Sequence, residues 1–203
     1  MSQDRRPEPD PPPVYVFPSA LGWVAVQWHE RQLCALAFGW SSGAEAAGAV
    51  EDLACVPVSG WHDIGQNPNA AGDPVRRFAK RIQAYAAGRR DDFLDVPVAL
   101  DETSVFRRGV LEECRRIPYG QTLSYGELAA KAGFSGAARA VGTVMAGNPV
   151  PLVIPCHRVV GSTGALRGYS GAGGVAMKQR LLELEAAIHD ARTGPIKRST
   201  PST

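Results

Sequence analysis

The segment NPVPLVIPCHRVVG, residues 148–161, holds the residues best suited to covalent chemistry. Three prolines and a run of apolar side chains end in Cys156, followed at once by His157 and Arg158. A cysteine thiol titrates near pH 8.5, so only a few per cent is thiolate at neutral pH, and a nearby base or cation is needed to make it a useful nucleophile. His157 could supply the base. In an extended strand, however, adjacent side chains point to opposite faces, so a turn or a bridging water would have to connect the two. Arg158 could add positive potential or simply form a structural salt bridge. The last helical stretch, GGVAMKQRLLELEAA, adds a carboxylate. Leu181 and Leu182 mark its buried stripe, and Glu185 follows on the same face. A carboxylate there is costly without a partner. The partner is either His157, giving a nucleophile–base–orienter set Cys156–His157–Glu185, or a basic residue at the helix edge.

These groups need a scaffold, and the chain is long enough for one. Its 203 residues suit one large domain or two small ones, and 44% hydrophobic with 21% charged residues is ordinary for a globular protein. The apolar runs fall far short of the ~20 residues of a membrane span. The start, MSQDRRPEPDPPP, has no apolar core resembling a signal peptide, so a cytoplasmic protein with no membrane partner is expected. A formal charge of +2 and a pI near 8.4 permit nucleic-acid binding without demanding it. Cys34, Cys55, Cys114 and Cys156 are far apart and form no CxxC pair or zinc-type cluster. No metal and no cofactor are expected.

Residues 1–13 and 189–203 read as disordered tails, and the chain changes character near residue 100, giving a first half at 14–100 and a second at 101–188. The first half opens with a β-hairpin or meander over VYVFPSALGWVAVQWHERQLCALAFGW, turning at SALG and HERQ. A helix follows in AGDPVRRFAKRIQAYAAGRR, with Asp73 as cap, Pro74 at the first helical position and Phe78, Ile82 and Tyr85 on one stripe. FLDVPVAL reads as a short extended segment. No catalytic constellation is visible here, which suggests an α+β support domain. The second half is mostly helical. TSVFRRGVLEECRRI is stopped by PYG, and its spacing makes Cys114 a core residue. In SYGELAAKAG, Ser124 and Glu127 form a capping box and Gly133 ends the helix. SGAARAVGTVMAGN begins with a capping candidate, Ser135.

Two short helices joined by a tight glycine turn are compatible with a helix-turn-helix. The second helix is nearly bare: Ala137, Ala138, Ala140 and Gly142 surround one long cation, Arg139. A major-groove reader displays several polar side chains, so this surface suits the minor groove or a wedge. Close helix–helix packing would also favour small residues.

NPVPLVIPCHRVVG together with SYGELAAKAG, AARAVG and the downstream GYSG and LLELE resembles the O6-alkylguanine-DNA alkyltransferases, or methylated-DNA–protein-cysteine methyltransferases. The resemblance is strongest over residues 103–186 and looser over 14–102. It implies an α+β fold with a small ribonuclease-H-like N-terminal domain and a C-terminal winged helix-turn-helix domain. It also implies a single-turnover transfer of an alkyl group from guanine O6 in duplex DNA to the protein's own cysteine, by a monomer. Cys156 resembles the acceptor, His157 its base through a water, and Glu185 the holder of His157. Asn148 resembles the asparagine joining the recognition helix to the active-site turn. Tyr125 resembles the tyrosine that rotates the nucleotide and bonds the guanine, and Arg139 the arginine finger that fills the gap, with Ala137 and Ala138 beside it at the DNA. The backbone at Val159 and Ser170 is expected to line the base pocket, with Arg158 also at it. Three departures stand out. GYSGAGGVAMK is two residues longer than the family form, Ala146 stands where some relatives carry a basic residue, and only His29 and Cys34 lie near the zinc positions of some members. The choice between guanine and thymine lesions is left open. Some relatives bind alkylated DNA without repairing it, and they lack the acceptor cysteine.

Overall fold

The computed structural model describes residues 11–53, 57–100, 103–166 and 168–193, with the side chains of 188–193 left aside. Cys55 and most of the two expected tails lie outside the described residues.

The first half forms the expected meander. Strands β1 (Val14–Ser19), β2 (Gly22–His29) and β3 (Gln32–Trp40) pair antiparallel in sequence order. Glu30 and Arg31 both take positive φ, 46° and 71°, which is the backbone a two-residue hairpin turn needs to match strand twist. Two elements were not legible in the sequence. Helix α1 (Gly43–Glu51), capped by Ser42, is glycine- and alanine-rich with little amphipathic contrast. Strand β4 (Trp61–Asp63) is only three residues long and pairs parallel to β1, giving the sheet order β3-β2-β1-β4. One face of the sheet packs on α1 through Val14, Val16, Ala25, Ala35, Ala37, Ala46, Ala47 and Val50.

Helix α2 (Asp73–Ala86) buries Phe78, Ile82 and Tyr85 as their spacing requires. Its cap is the backbone of Gly72 rather than Asp73, whose carboxylate is inside the first turn and pairs with Arg76. FLDVPVAL is a set of turns with one extended point. Leu33 N donates to Pro97 O and Ala99 N to Leu33 O, which covers part of the β3 edge.

In the second half, α3 (Val105–Arg115) is capped by Ser104 and buries Val110, Leu111 and Cys114. The two-residue strand β5 (Leu123–Ser124) leads into α4 (Tyr125–Lys131), where the Ser124–Glu127 capping box is complete. Gly133 takes φ +85° just past the helix end, a conformation that favours glycine. Helix α5 (Ala138–Ala146) starts at the backbone of Ala137, so Ser135 does not cap it. Phe106 of α3 meets Phe134 of the turn edge-on at 4.8 Å between centroids, locking the α4–turn–α5 unit onto α3.

PLVIP is buried but is not a strand. It folds as a tight turn with a Pro151–Ile154 bridge and with Leu152 at φ +71°, followed by a single 3-10 turn at Cys156–Arg158. Strand β6 (Val159–Val160) then pairs parallel with β5. The last helix, α6 (Gly174–Thr193), runs past residue 188, where a tail was expected to begin.

The main core joins the two halves. Phe17, Leu36, Phe78, Ile82 and Tyr85 belong to the same buried cluster as Leu111, Leu128, Val153, Cys156 and Leu181. Leu36 N on β3 also donates to Pro149 O at 2.8 Å, tying the sheet to the turn that precedes Cys156.

Candidate active site

The turn before Cys156 is fixed by backbone and side-chain bonds that proline alone could not supply. Asn148, 6% exposed, donates Nδ2 to Ile154 O at 2.8 Å and accepts from Val150 N at 3.1 Å. One amide thus closes the loop between the end of α5 and the thiol. The end of α5 is held in turn by Arg107, which donates to Gly147 O. Ile154 N bonds Val150 O and Cys156 N bonds Ile154 O, so the thiol sits on a closed backbone turn.

The 3-10 turn answers how adjacent residues can cooperate. Cys156, His157 and Arg158 are all buried, and their side chains splay to different neighbours. Cys156 lies at the floor of a cleft of about 770 Å³ edged by Ser124 and Tyr125 of β5 and α4, Ala138, Arg139 and Gly142 of α5, and Tyr169 and Ser170. A second, smaller cavity of about 290 Å³ reaches Cys156 from the side of the sheet, between Phe38, Trp40, Pro151 and Tyr169. Ser170 donates to Ala146 O at 2.7 Å, binding the cleft rim to the end of α5.

Behind the thiol, Glu185 is fully buried and accepts from four residues. Oε1 takes His157 Nε2 at 3.0 Å, Arg158 Nη2 at 2.7 Å and the Tyr85 hydroxyl at 2.7 Å, while Oε2 takes Arg158 Nε at 2.9 Å and Gly120 N at 3.0 Å. Glu185 therefore has the histidine partner expected as one alternative and also a basic one, although that base, Arg158, comes from the 3-10 turn and not from the helix edge. Burial alone would raise this carboxyl, but the His157 and Arg158 hydrogen bonds outweigh it and hold Glu185 well below the ordinary carboxylate range. For His157 the balance is reversed: burial lowers its pKa more than Glu185 raises it, and the ring is neutral. With Nε2 on Glu185, the other ring nitrogen, Nδ1, has no hydrogen-bond partner among the described residues. It is left as an acceptor, the arrangement a general base requires.

Burial also pushes the Cys156 thiol up, while a hydrogen bond to Asn148 and the charge of Lys178 pull it back. The site therefore holds a thiol with a neutral base behind it rather than a resting thiolate. Lys178, 1% exposed, donates Nζ to Val159 O at 2.6 Å and lies 5.7 Å from the centre of the Tyr125 ring.

Two expected pocket residues are elsewhere. Arg158 does not line the cleft: it is 2% exposed, its Nη1 donates to Ile117 O at 2.7 Å, and the rest of its guanidinium grips Glu185. Val159 is fully buried in β6, and its carbonyl is occupied by Lys178. Ser170, Tyr125, Ala138 and Arg139 do line the cleft, and Ala137 is the residue at which α5 starts, outside the cleft lining.

Sequence reasoning missed Lys178 and Tyr85. Lys178 precedes Leu181 and Glu185 at helical spacing on the buried stripe of α6, a signal as readable as that of Glu185 itself. Tyr85 gave no such signal, because its ring belongs to the apolar stripe of α2 and only the tertiary fold brings its hydroxyl to Glu185. Among the described residues no group of three or more His, Cys, Asp or Glu could hold a metal ion, and no helix is long and apolar enough to cross a membrane.

Residues 105–187 match the family model of the 6-O-methylguanine DNA methyltransferase DNA-binding domain. The chain is 44% identical over 127 residues to a methylated-DNA–protein-cysteine methyltransferase of Mycolicibacterium paratuberculosis, spanning 63% of this chain and 70% of that one. It is 40% identical over 123 residues to a DNA base-flipping protein of Thermus thermophilus, spanning 61% and 81%. In three dimensions it is similar to Mycobacterium tuberculosis OGT in the crystal structure of its complex with DNA, with a TM-score of 0.64, 32% identity and coverage of 86% and 93%. With 44% identity covering 70% of the mycobacterial methyltransferase, the chain belongs to the methylated-DNA–protein-cysteine methyltransferase family.

Proposed function

We propose that this protein repairs O6-alkylguanine in double-stranded DNA by taking the alkyl group onto Cys156, once per molecule. The observation that carries the reading is the seat of Cys156 at the floor of the cleft beneath α4 and α5, backed by His157 and Glu185.

The target carbon lies inside a stacked duplex, so the nucleotide must be rotated out, at a cost of a few kcal/mol that is lowest for a poorly paired base. The bare surface of α5 suits close approach to the minor groove, and Arg139 is long enough to occupy the gap left in the stack. Tyr125 and Ser170 receive the base. The thiol proton then passes to His157 Nδ1, directly or through a water. The sulfur–carbon bond forms as the carbon–O6 bond breaks, and its electron pair leaves with guanine, which takes up a proton. Lys178 stabilises the sulfur charge that develops before transfer. Asn148 holds the turn and Glu185 orients the base. The product thioether has no carbonyl for water to attack, so the protein acts as a reagent that is consumed.

The finer fold description belongs to the same reading. The four-stranded sheet with α1 on one face supports a ribonuclease-H-like first half, and the α4–turn–α5 unit followed by the β5–β6 ribbon supports a winged helix-turn-helix. Residues 14–100 would then serve as a support domain and 101–188 as the DNA-binding and acceptor domain, in a cytoplasmic monomer that uses no cofactor.

The similarity to a base-flipping protein raises a second reading, lesion recognition without transfer. That reading gives Cys156 and its base no task. Mixing the protein with a duplex carrying one O6-methylguanine and measuring intact and peptide masses separates the two. One added methyl on the Cys156 peptide, stoichiometric with restored guanine and absent in Cys156→Ala, is expected. Lesion binding with no mass change would reduce the protein to a recognition module. Running an O4-methylthymine duplex in parallel settles the lesion preference.

A further inference from the structure

The first half of the chain meets the reactive centre through a polar contact at Tyr85. This side chain is 1% exposed, and its ring is wedged between Phe93, at 5.6 Å between centroids, and Tyr119, at 6.0 Å. The packing fixes where the hydroxyl points. It donates to Glu185 Oε1 at 2.7 Å, the same oxygen that meets His157 Nε2 at 3.0 Å. Oxygen Oε1 is thus shared between α2, the 3-10 turn and Arg158, whereas Oε2 is met by Gly120 N and Arg158 alone.

Sharing has a direction. Each donor that draws on the Oε1 lone pairs weakens that oxygen as a partner for the imidazole, and a weaker anionic partner favours the neutral ring. We propose that Tyr85 is a positioning residue for alkyl transfer: by donating to the Glu185 oxygen that also meets His157, it orients the carboxylate and limits how strongly it draws a proton onto the ring, keeping His157 available as a base. This rests on the reading of His157 as the base. It gives the first half a part in the chemistry beyond support.

Other charged or titratable groups face His157 from each element packed around it. Glu185 and Lys178 come from α6 and Arg158 from its own turn, where Cys156 is the adjoining residue, while Cys114 of α3 faces Cys156, Arg158 and Lys178 behind them. Tyr119, in the loop after α3, faces Arg158 at 5.4 Å and is itself covered by Arg90. None of these donates to Oε1 except Arg158, whose guanidinium is a permanent cation. The phenol is therefore the uncharged contact that can be removed without changing the net charge of the cluster.

The test is Tyr85→Phe, which preserves the ring packing, read by the nitrogen and proton NMR signals of the His157 imidazole in the DNA-free protein and by the pH dependence of single-turnover methyl transfer. The His157 midpoint should move to higher pH by about half a unit or more. For a half-unit shift the rate should fall by up to about threefold more at low pH, about 5.5, than at about pH 8.5, because the protonated ring cannot accept the thiol proton. Replacing Tyr85 by 3-fluorotyrosine, whose more acidic phenol donates more strongly, should move the midpoint the other way. It provides the test if the phenylalanine variant does not fold. A midpoint that stays in place or moves downward in a folded Tyr85→Phe overturns the proposal. A His157→Gln variant that transfers methyl at the unaltered rate would instead remove the base reading, while the NMR midpoint still decides whether Tyr85 is coupled to His157.

Discussion

Glu185→Gln removes one charge and almost no volume from the centre of the network, so its consequence can be worked out from the contacts. Arg158 is left as a buried guanidinium with no counter-ion, since its remaining bond is to the Ile117 carbonyl. Breaking a buried pair from one side costs about 3–5 kcal/mol. A domain of this size has roughly 5–15 kcal/mol in total, and each kcal/mol shifts Tm by about 2–4 °C. A drop of roughly 6–20 °C at pH 7 is expected by scanning calorimetry. The effect is also pH-dependent. The Glu185 carboxyl is held below its unfolded value, so the stability it contributes is fully present above about pH 5 and is lost as pH falls toward the folded value. The gap between the two proteins should therefore narrow when the scan is repeated at about pH 3.5. Adding Arg158→Met to Glu185→Gln removes the stranded charge while the glutamine oxygen still accepts from Tyr85 and Gly120, and should recover part of the lost stability, while methyl transfer stays impaired. A Tm change below about 2 °C at pH 7, or a gap that does not vary with pH, would refute the account of Glu185 as the counter-ion of a buried cation.

Arg139→Ala should leave Tm unchanged, because the side chain is exposed at the cleft mouth, and should lower transfer from duplex lesions by about tenfold or more while hardly altering reaction with the free alkylated base. Gly142→Ala should raise stability by about 0.5–1 kcal/mol, since an added Cβ meets nothing within 4 Å. The same methyl stands on the cleft side of α5, and duplex affinity measured by fluorescence anisotropy should fall. Ser124→Ala breaks one half of the α4 capping box and should cost about 1 kcal/mol in a urea melt.

Much of the candidate site was legible because its parts obey local rules. The meander showed in its alternation and turn residues, α2 and α3 in their apolar stripes, and α4 in its capping box. Glu185 was visible as a carboxylate on an apolar face. Elements with weak local signals were missed. Helix α1 has too little polar contrast to declare a face, and β4 is too short to show alternation. Residue type alone makes Asp73 and Ser135 cap candidates, but the helix starts are set by backbone geometry at Gly72 and Ala137. PLVIP has the composition of a buried strand. Its closure into a turn depends on bonds from Asn148 and from the β3 edge.

The sequence by itself determined which residues could do chemistry here: a cysteine with a histidine behind it, a carboxylate on a buried stripe, and a small-residue helix carrying one arginine. These follow from side-chain chemistry and periodicity, which are local properties. How they share protons and charge is set by packing in three dimensions. That packing turned Arg158 away from the cleft and onto Glu185, set Lys178 on the Val159 carbonyl, and brought the Tyr85 hydroxyl from the other half of the chain to the oxygen that holds His157. Ionisation at a buried centre depends on which charges and donors surround it in space, and no spacing along the chain fixes that set.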